Sequence, residues 1–293
     1  MPEGDTVWRT ADRLDRALSG RVLIRTDLRW GDLATVDLAG ASTVEVLARG
    51  KHILHRLDSG HTLHSHLKME GSWRIEATAG LDETPLRQHG VRAVLGTGQW
   101  TAVGLRLGAL DLLPTSEEHQ WVGHLGPDVL GPDWDLDLGV SRLRRHPDSL
   151  GAALLDQRTV AGLGTLWCSE VLFAEGLHPW LPAHELDPEQ AASLLRRAQR
   201  WMTANLGHAV QSTTGSRRHG ENTSVYGRSG RPCRRCGDTV RVAMIGPALR
   251  ERTMFYCPGC QGGLAPTDDG RHQAPLGASG RPQPRGGYRG RRG

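Results

Sequence analysis

The chain has 293 residues, more than one average domain, so two globular units with a small appended module are expected. Apolar residues make up 38% and charged residues 23%, and no uninterrupted apolar run nears the roughly 18 residues that cross a bilayer, which excludes a membrane-spanning reading. The formal charge of +4 is modest, but arginine accumulates late in the chain, from Arg217 to Arg252 and again from Arg281 to Arg292. Planar guanidinium groups favour paired contacts to phosphate, so nucleic acid is a candidate partner.

The opening MPEGDTVW has acids at Glu3 and Asp5 and neither a basic nor an apolar region, so it does not read as a secretory signal and the cytoplasm is the expected compartment. Asp5 or Thr6 is expected to cap a helix through Val7, Leu14 and Leu18 that stops at Ser19-Gly20. From Val22 to about Leu112 come short β-type runs, Thr43 to Val46, His52 to Leu57 and Ser72 to Ile75, punctuated by glycines, a pattern of sandwiches and barrels. After Pro114 the texture turns helical, with amphipathic segments at Leu150 to Leu155, Leu166 to Glu175 and Glu189 to Asn205. Ser212 to Asn222 reads as a polar linker and Val225 to Gln261 as a compact cysteine-bearing module. Beyond Gly262 the chain is Gly, Pro, Arg and Gln, a composition that predicts disorder.

Four of the five cysteines fall as Cys233-x2-Cys236 and Cys257-x2-Cys260, with twenty residues between the pairs. Two such knuckles supply four thiolates for one tetrahedral zinc ion, and with no position left for water the zinc is structural. Cys168 stands apart in a helical stretch and reads as a buried thiol. At the other end, Pro2 follows the initiator methionine. Once that residue is removed, a secondary amine with a reference pKa of about 8 is far more often neutral than a lysine at about 10.4. Such an amine attacks an aldehyde-level carbon and gives an iminium ion directly, and Glu3 beside it can deliver a proton.

The start Pro2-Glu3-Gly4-Asp5, the motif Arg49-Gly50-Lys51-His52, the run His64 to Gly71, the segment Leu155 to Gly164 and the four-cysteine module occur in one order. In these motifs the chain resembles the formamidopyrimidine-DNA glycosylase and endonuclease VIII family over about residues 1 to 261. The resemblance implies a multidomain α+β chain: an N-terminal β-sandwich with flanking helices, a helical domain with a helix-two-turn-helix motif, and a C-terminal zinc-ribbon finger. The corresponding boundaries are 1–115, 116–223 and 224–262, with a disordered basic tail at 263–293.

It also implies a bifunctional glycosylase and lyase of base excision repair, acting as a monomer on damaged double- or single-stranded DNA. Pro2 would attack the deoxyribose anomeric carbon, Glu3 would protonate the sugar, Lys51 would contact phosphate and assist β-elimination, and Arg252 would grip phosphates and help the second elimination. Gly164 and Thr165 would hold a phosphate, with Thr165 standing where the family usually has asparagine. Met69 would fill the gap left by a flipped nucleotide, and Lys68 and His124 fall near family DNA contacts. The Pro-Glu-Gly opening and the short stretch before Val225 resemble the endonuclease VIII branch, which implies oxidised pyrimidines, while Thr6 replaces a glutamate often found there. An abasic-site lyase, an oxidised-purine glycosylase, a catalytically silent zinc-finger DNA-binding protein and a zinc-ribbon scaffold are the other readings the sequence leaves.

Overall fold

The computed structural model describes residues 2–82 and 84–275. Helix α1 (Gly4–Leu18) buries Val7, Ala11, Leu14 and Leu18 at three- and four-residue spacing, the stripe that packs one helix face on a core. It ends at Ser19 as expected, but its N-cap is Glu3 rather than Asp5 or Thr6. The Asp5 side chain is engaged elsewhere, by Trp167 and Gln211.

Eight strands follow: β1 (Arg25–Leu28), β2 (Thr43–Arg49), β3 (His52–Leu57), β4 (His61–His66), β5 (Ser72–Ala77), β6 (Val91–Gly96), β7 (Trp100–Leu105) and β8 (Ala109–Pro114). They form two antiparallel four-stranded sheets, ordered β1-β6-β7-β5 and β2-β3-β4-β8. Alternate residues such as Ile53, Leu57, Leu63, Trp73, Leu95 and Leu110 turn inward and share one core with α1. The expected sandwich is thus present, with Lys51 in its β2-β3 turn and Met69 in the turn after β4.

The helical unit comprises α2 (His119–Val122), α3 (Leu136–Arg145), α4 (Leu150–Leu155), α5 (Thr165–Glu175) and α6 (Pro188–Asn205). Helix α3 was not anticipated; its start is fixed by the Asp135 carboxylate, which accepts from the Leu138 N–H at 2.9 Å. Helices α4 and α5, joined through turns at 156–164, make the helix-two-turn-helix arrangement. Helix α5 is buried from Thr165 to Phe173 on every side and stops at Gly176, whose φ of 70° is left-handed. The finger is a hairpin of β9 (Arg241–Ile245) and β10 (Arg252–Tyr256) followed by the single turn α7 (Pro258–Gln261). Ile245 and Met254 enter the core of the helical unit, so the finger docks on α5 through its own hairpin.

The expectation of disorder from residue 263 is corrected for the segment up to 275. Asp268, with 1% of its side chain exposed, receives Arg241 Nε and Nη2 at 2.5 Å and the Tyr256 hydroxyl at 2.7 Å. The Gln273 amide pairs with both the N–H and C=O of Val242, at 2.9 and 3.0 Å. A few directed polar bonds order this segment, which composition cannot reveal. Residues 276–293, including Arg281 to Arg292, lie outside the described residues.

Removing one partner of a buried pair strands the other, at about 3–5 kcal/mol. Asp268→Ala should therefore weaken protection of the β9 and β10 amides in hydrogen exchange by that amount, as should a chain stopped at Gly263. Arg241 holds the Asp268 carboxyl down at about 2, so its contribution is complete above the ordinary aspartate range and disappears as pH falls through about 2. Unfolding curves of wild type and Asp268→Asn should differ at neutral pH and converge toward pH 2.

Candidate active site

The site is assembled where the N-terminus meets the start of α5. Glu3 is fully buried, and its Oε2 accepts from the N–H groups of Gly164 (2.8 Å) and Trp167 (3.3 Å) while Oε1 accepts from Leu166 (2.7 Å). The first turn of a helix has unpaired amides and the positive end of the helix dipole, so it is a natural seat for a carboxylate. Burial raises the Glu3 pKa, while Lys51 and the helix amides pull it back. The group therefore keeps a proton to higher pH than an exposed glutamate.

Close approach demands small residues here. A Cβ on Gly164 would stand 2.5 Å from Glu3 Cδ, and one on Gly4 would stand 2.9 Å from Gly162 Cα. Gly162 has a φ of 99°, and the Gly4 N–H donates to its carbonyl at 2.9 Å. Gln157 organises the turn by accepting from the Gly162 N–H (3.0 Å) and donating to the Leu163 carbonyl (2.9 Å).

Lys51 comes from the turn between β2 and β3, and its Nζ donates to the same Leu163 carbonyl at 2.5 Å. Burial lowers its pKa, opposed by the charge of Glu3 and reinforced by that of Arg252. The turn is anchored across the domain boundary: the Gly50 N–H donates to Asp128 Oδ2 at 2.6 Å, and Gly50 lies against Ala161 and Leu125. Arg252 opens β10, is exposed, and lies near enough to Lys51 to act on its charge. The structure thus brings Glu3 and Lys51 together at the turn before α5, with half-buried Pro2 immediately before Glu3 and Arg252 within electrostatic reach of Lys51.

Met69 occupies the turn after β4, where the Gly71 N–H bonds the Leu67 carbonyl, and is 63% exposed, as an inserting side chain requires. Lys68 beside it has a φ of 48° and is also exposed. His124 is exposed, its ring 6.5 Å from that of His52. The expectation for Gly164 and Thr165 is corrected: the Gly164 N–H is taken by Glu3, and Thr165 is 1% exposed.

Sequence reasoning missed Asp5, Asp128 and Glu170. Buried Asp5 accepts from Trp167 Nε1 (3.0 Å) and Gln211 Nε2 (2.7 Å). Glu170, on α5, gathers the N–H groups of Ser224, Val225 and Tyr226 at 2.7–3.0 Å and the Thr213 hydroxyl, which binds the linker to the helix. An acid inside the otherwise apolar segment Leu166 to Phe173 was the available signal for Glu170. Nearby, Leu166, His219, Asn222, Thr223, Tyr226 and Arg228 line a cleft of about 370 Å³.

The four finger cysteines place their sulfurs within 4.8 Å of one another, with Cys233–Cys260 at 3.9 Å and Cys236–Cys257 at 3.4 Å. These separations are too long for disulfides and near the roughly 3.8 Å edge of a tetrahedron built on metal–sulfur bonds of about 2.3 Å. The cluster can hold a metal ion. Among the described residues no helix is long and apolar enough to cross a membrane.

Comparison with known proteins places this fold and site. Residues 1–106 match the formamidopyrimidine-DNA glycosylase N-terminal domain, and residues 125–217 match the H2TH domain of the same proteins. The chain is 51% identical over 272 residues to a probable endonuclease 8 2 of Streptomyces coelicolor, covering 92% of this chain and 98% of that one. It is 43% identical to the DNA-(apurinic or apyrimidinic site) lyase Nei2 of Mycolicibacterium smegmatis, covering 89% and 99%. The fold is similar to Lactococcus lactis formamidopyrimidine-DNA glycosylase bound to DNA containing an abasic site (TM-score 0.74, 22% identity, 89% of this chain and 100% of that one). The chain belongs to the formamidopyrimidine-DNA glycosylase family, with endonuclease 8 proteins among its relatives.

Gly164→Ala should displace the Glu3 carboxylate and cost about 1–3 kcal/mol, the usual range for overpacking. Urea unfolding measures it, and an unchanged free energy would show that Glu3 does not press on this turn.

Proposed function

We infer that this chain is a bifunctional DNA glycosylase and abasic-site lyase of base excision repair. The observation that carries the reading is the burial of Glu3 and Lys51 together at the start of α5, one residue from Pro2. With Met1 removed, the Pro2 nitrogen attacks C1′ of a flipped deoxynucleotide as the N-glycosidic bond breaks, and the base departs with the proton that the Pro2 nitrogen loses. Glu3, whose hold on a proton burial strengthens, gives a proton to the sugar ring oxygen, and the ring opens to an iminium ion. The iminium withdraws electrons while a proton leaves C2′ and the C3′–oxygen bond breaks; a second elimination breaks the C5′–oxygen bond. Lys51 and Arg252 supply the positive charge that the flanking phosphates and the departing phosphate oxygens require.

Zinc fits the four cysteines Cys233, Cys236, Cys257 and Cys260 by donor type and spacing. Its chemistry there is structural, since four thiolates leave no position for water. Cys236 and Cys257 flank the β9-β10 hairpin that carries Arg252, so the metal's role is to hold that hairpin in place.

For substrate, oxidised pyrimidines fit best. The linker between α6 and the finger is short and folded on itself: the Ser212 N–H donates to Asn205 Oδ1 at 2.8 Å and the Thr214 hydroxyl to the Glu221 carbonyl at 2.7 Å. That leaves little chain to fold over a larger purine. Met69 fills the space the flipped nucleotide vacates. A second reading, action chiefly at abasic sites, is favoured by Thr6, which has no carboxylate with which to hold a base, and by the lyase name of the 43%-identical relative.

Glu3→Gln separates the two steps. It should abolish release of an oxidised pyrimidine from duplex DNA, by at least about a hundredfold if it removes general-acid catalysis, while leaving nicking of preformed abasic sites within roughly tenfold. Equal loss on both substrates would contradict the assigned role. Pro2→Gly should lower both reactions while preserving affinity for uncleavable abasic-analogue DNA. Chelating the metal should instead reduce DNA affinity.

A further inference from the structure

The outer face of the β2-β3-β4-β8 sheet carries a group of histidines that the chemistry above does not use. His52 opens β3 and His64 lies diagonally across on β4, their rings stacked with centroids 5.0 Å apart and His52 Nδ1 2.8 Å from His64 Nε2. His64 Nδ1 is in turn 3.0 Å from Asp111 Oδ2 on β8, and its other face is covered by Trp121, stacked at 4.7 Å. His66 meets the His52 ring edge-on at 5.0 Å, and His124 stands beyond it at 6.5 Å.

The direction of these bonds follows from chemistry. A carboxylate only accepts, so His64 carries its proton on Nδ1 and presents a lone pair at Nε2. His52 must then donate from Nδ1, which leaves its own Nε2 as a proton acceptor. A proton arriving there is not isolated: the Nδ1 proton of His52 can pass to His64, and that of His64 toward Asp111, whose side chain is 47% exposed. The charge is thereby spread toward solvent.

The surroundings define what such a group would meet. Lys51 precedes His52, and Lys68 and His66 lie at the end of β4 that leads into the Met69 turn. Arg49, at the end of β2, is paired with Asp133 at 3.2 Å and lies 3.9 Å from Asp128, so it is already compensated. Asp111 is the acid bonded to the imidazoles. The patch therefore has the exposed Lys68 ammonium, a His66 ring whose Nδ1 accepts from the Lys68 N–H and so carries its proton on Nε2, the open Nε2 of His52, and one internal carboxylate. That combination suits an anion.

We propose that His52, oriented by His64 and Asp111, binds a backbone phosphate of the DNA strand that runs beside the Met69 turn and takes up one proton from solvent as it does so. The proposal rests on the DNA-binding reading above and adds to it a binding residue and two positioning residues, His64 and Asp111. In the free protein, burial and the neighbouring His64, His66, His124 and Lys51 hold His52 down at about 3, so it is neutral at neutral pH. His66 is held at about 4 by burial, His64 and the two lysines. A phosphate at Nε2 reverses the balance and raises the His52 value, so affinity gains as pH falls through the value in the complex.

The test is equilibrium binding of the full chain to duplex DNA with an uncleavable tetrahydrofuran abasic analogue, across about pH 6 to about pH 8.5 at constant ionic strength. One linked proton gives a slope of up to roughly tenfold in affinity per pH unit. Asp111→Asn, which keeps an acceptor but cannot share the charge, and His64→Gln should flatten that slope while changing affinity at the alkaline end by less than about threefold. His52→Gln should remove the slope and weaken binding at acid pH. Asp111 is half exposed, so its variant stays folded if the buried His64 variant does not. A pH slope in Asp111→Asn and His52→Gln equal to that of wild type overturns the proposal. Absence of wild-type binding at every pH would instead overturn the DNA-binding reading.

Discussion

A carboxylate at the start of a buried helix organises this molecule. Burying Glu3 without partners would cost several kcal/mol. The first-turn amides of α5, its dipole and the Lys51 ammonium offset that cost. In return the interaction fixes the first residues of the chain, which are otherwise the most mobile part of most proteins. Pro2 can act as a nucleophile only if it is held, and Glu3 holds it by the adjoining peptide. A larger residue at Gly164 would push the carboxylate out, and one at Gly4 would run into the Gly162 backbone.

The other units depend on the same helix. Glu170 on α5 binds the linker amides, the Phe173 ring receives the Arg235 guanidinium at 4.1 Å, and Met254 of the finger packs in the α5 core. Helix α5 is therefore apolar on all sides except where it holds Glu3 and the linker. The sandwich contributes Lys51 through a turn tied to Asp128 of the helical unit. Each charge of the proposed site sits on a different element, and α5 or its leading turn supports Glu3 and Lys51 directly.

Much of this was legible in the sequence. Strand runs, the helices α4, α5 and α6, and the cysteine knuckles follow from periodicity and spacing, which are local. What could not be read depended on partners distant in sequence. Asp5 looked like a helix cap because its commitment to Trp167 and Gln211 spans more than 160 residues. Gly164 looked free to bind phosphate because nothing local shows that Glu3 takes its N–H. Helix α3 was obscured by Gly139 and a polar surface, and the order in residues 264–275 by a composition poor in apolar groups. The histidine chain requires the register of three strands, with His52 opposite His66 and His64 opposite Asp111.

The central claim is that the Glu3 seat on α5 makes Pro2 the attacking group. Its most direct test is borohydride reduction of the full chain on abasic-site DNA, followed by proteolysis and mass spectrometry of the cross-linked peptide. The account predicts a DNA-derived mass on the peptide that begins at Pro2, carried by its nitrogen. An adduct on Lys51, or none on protein whose N-terminus is verified as Pro2, would contradict it.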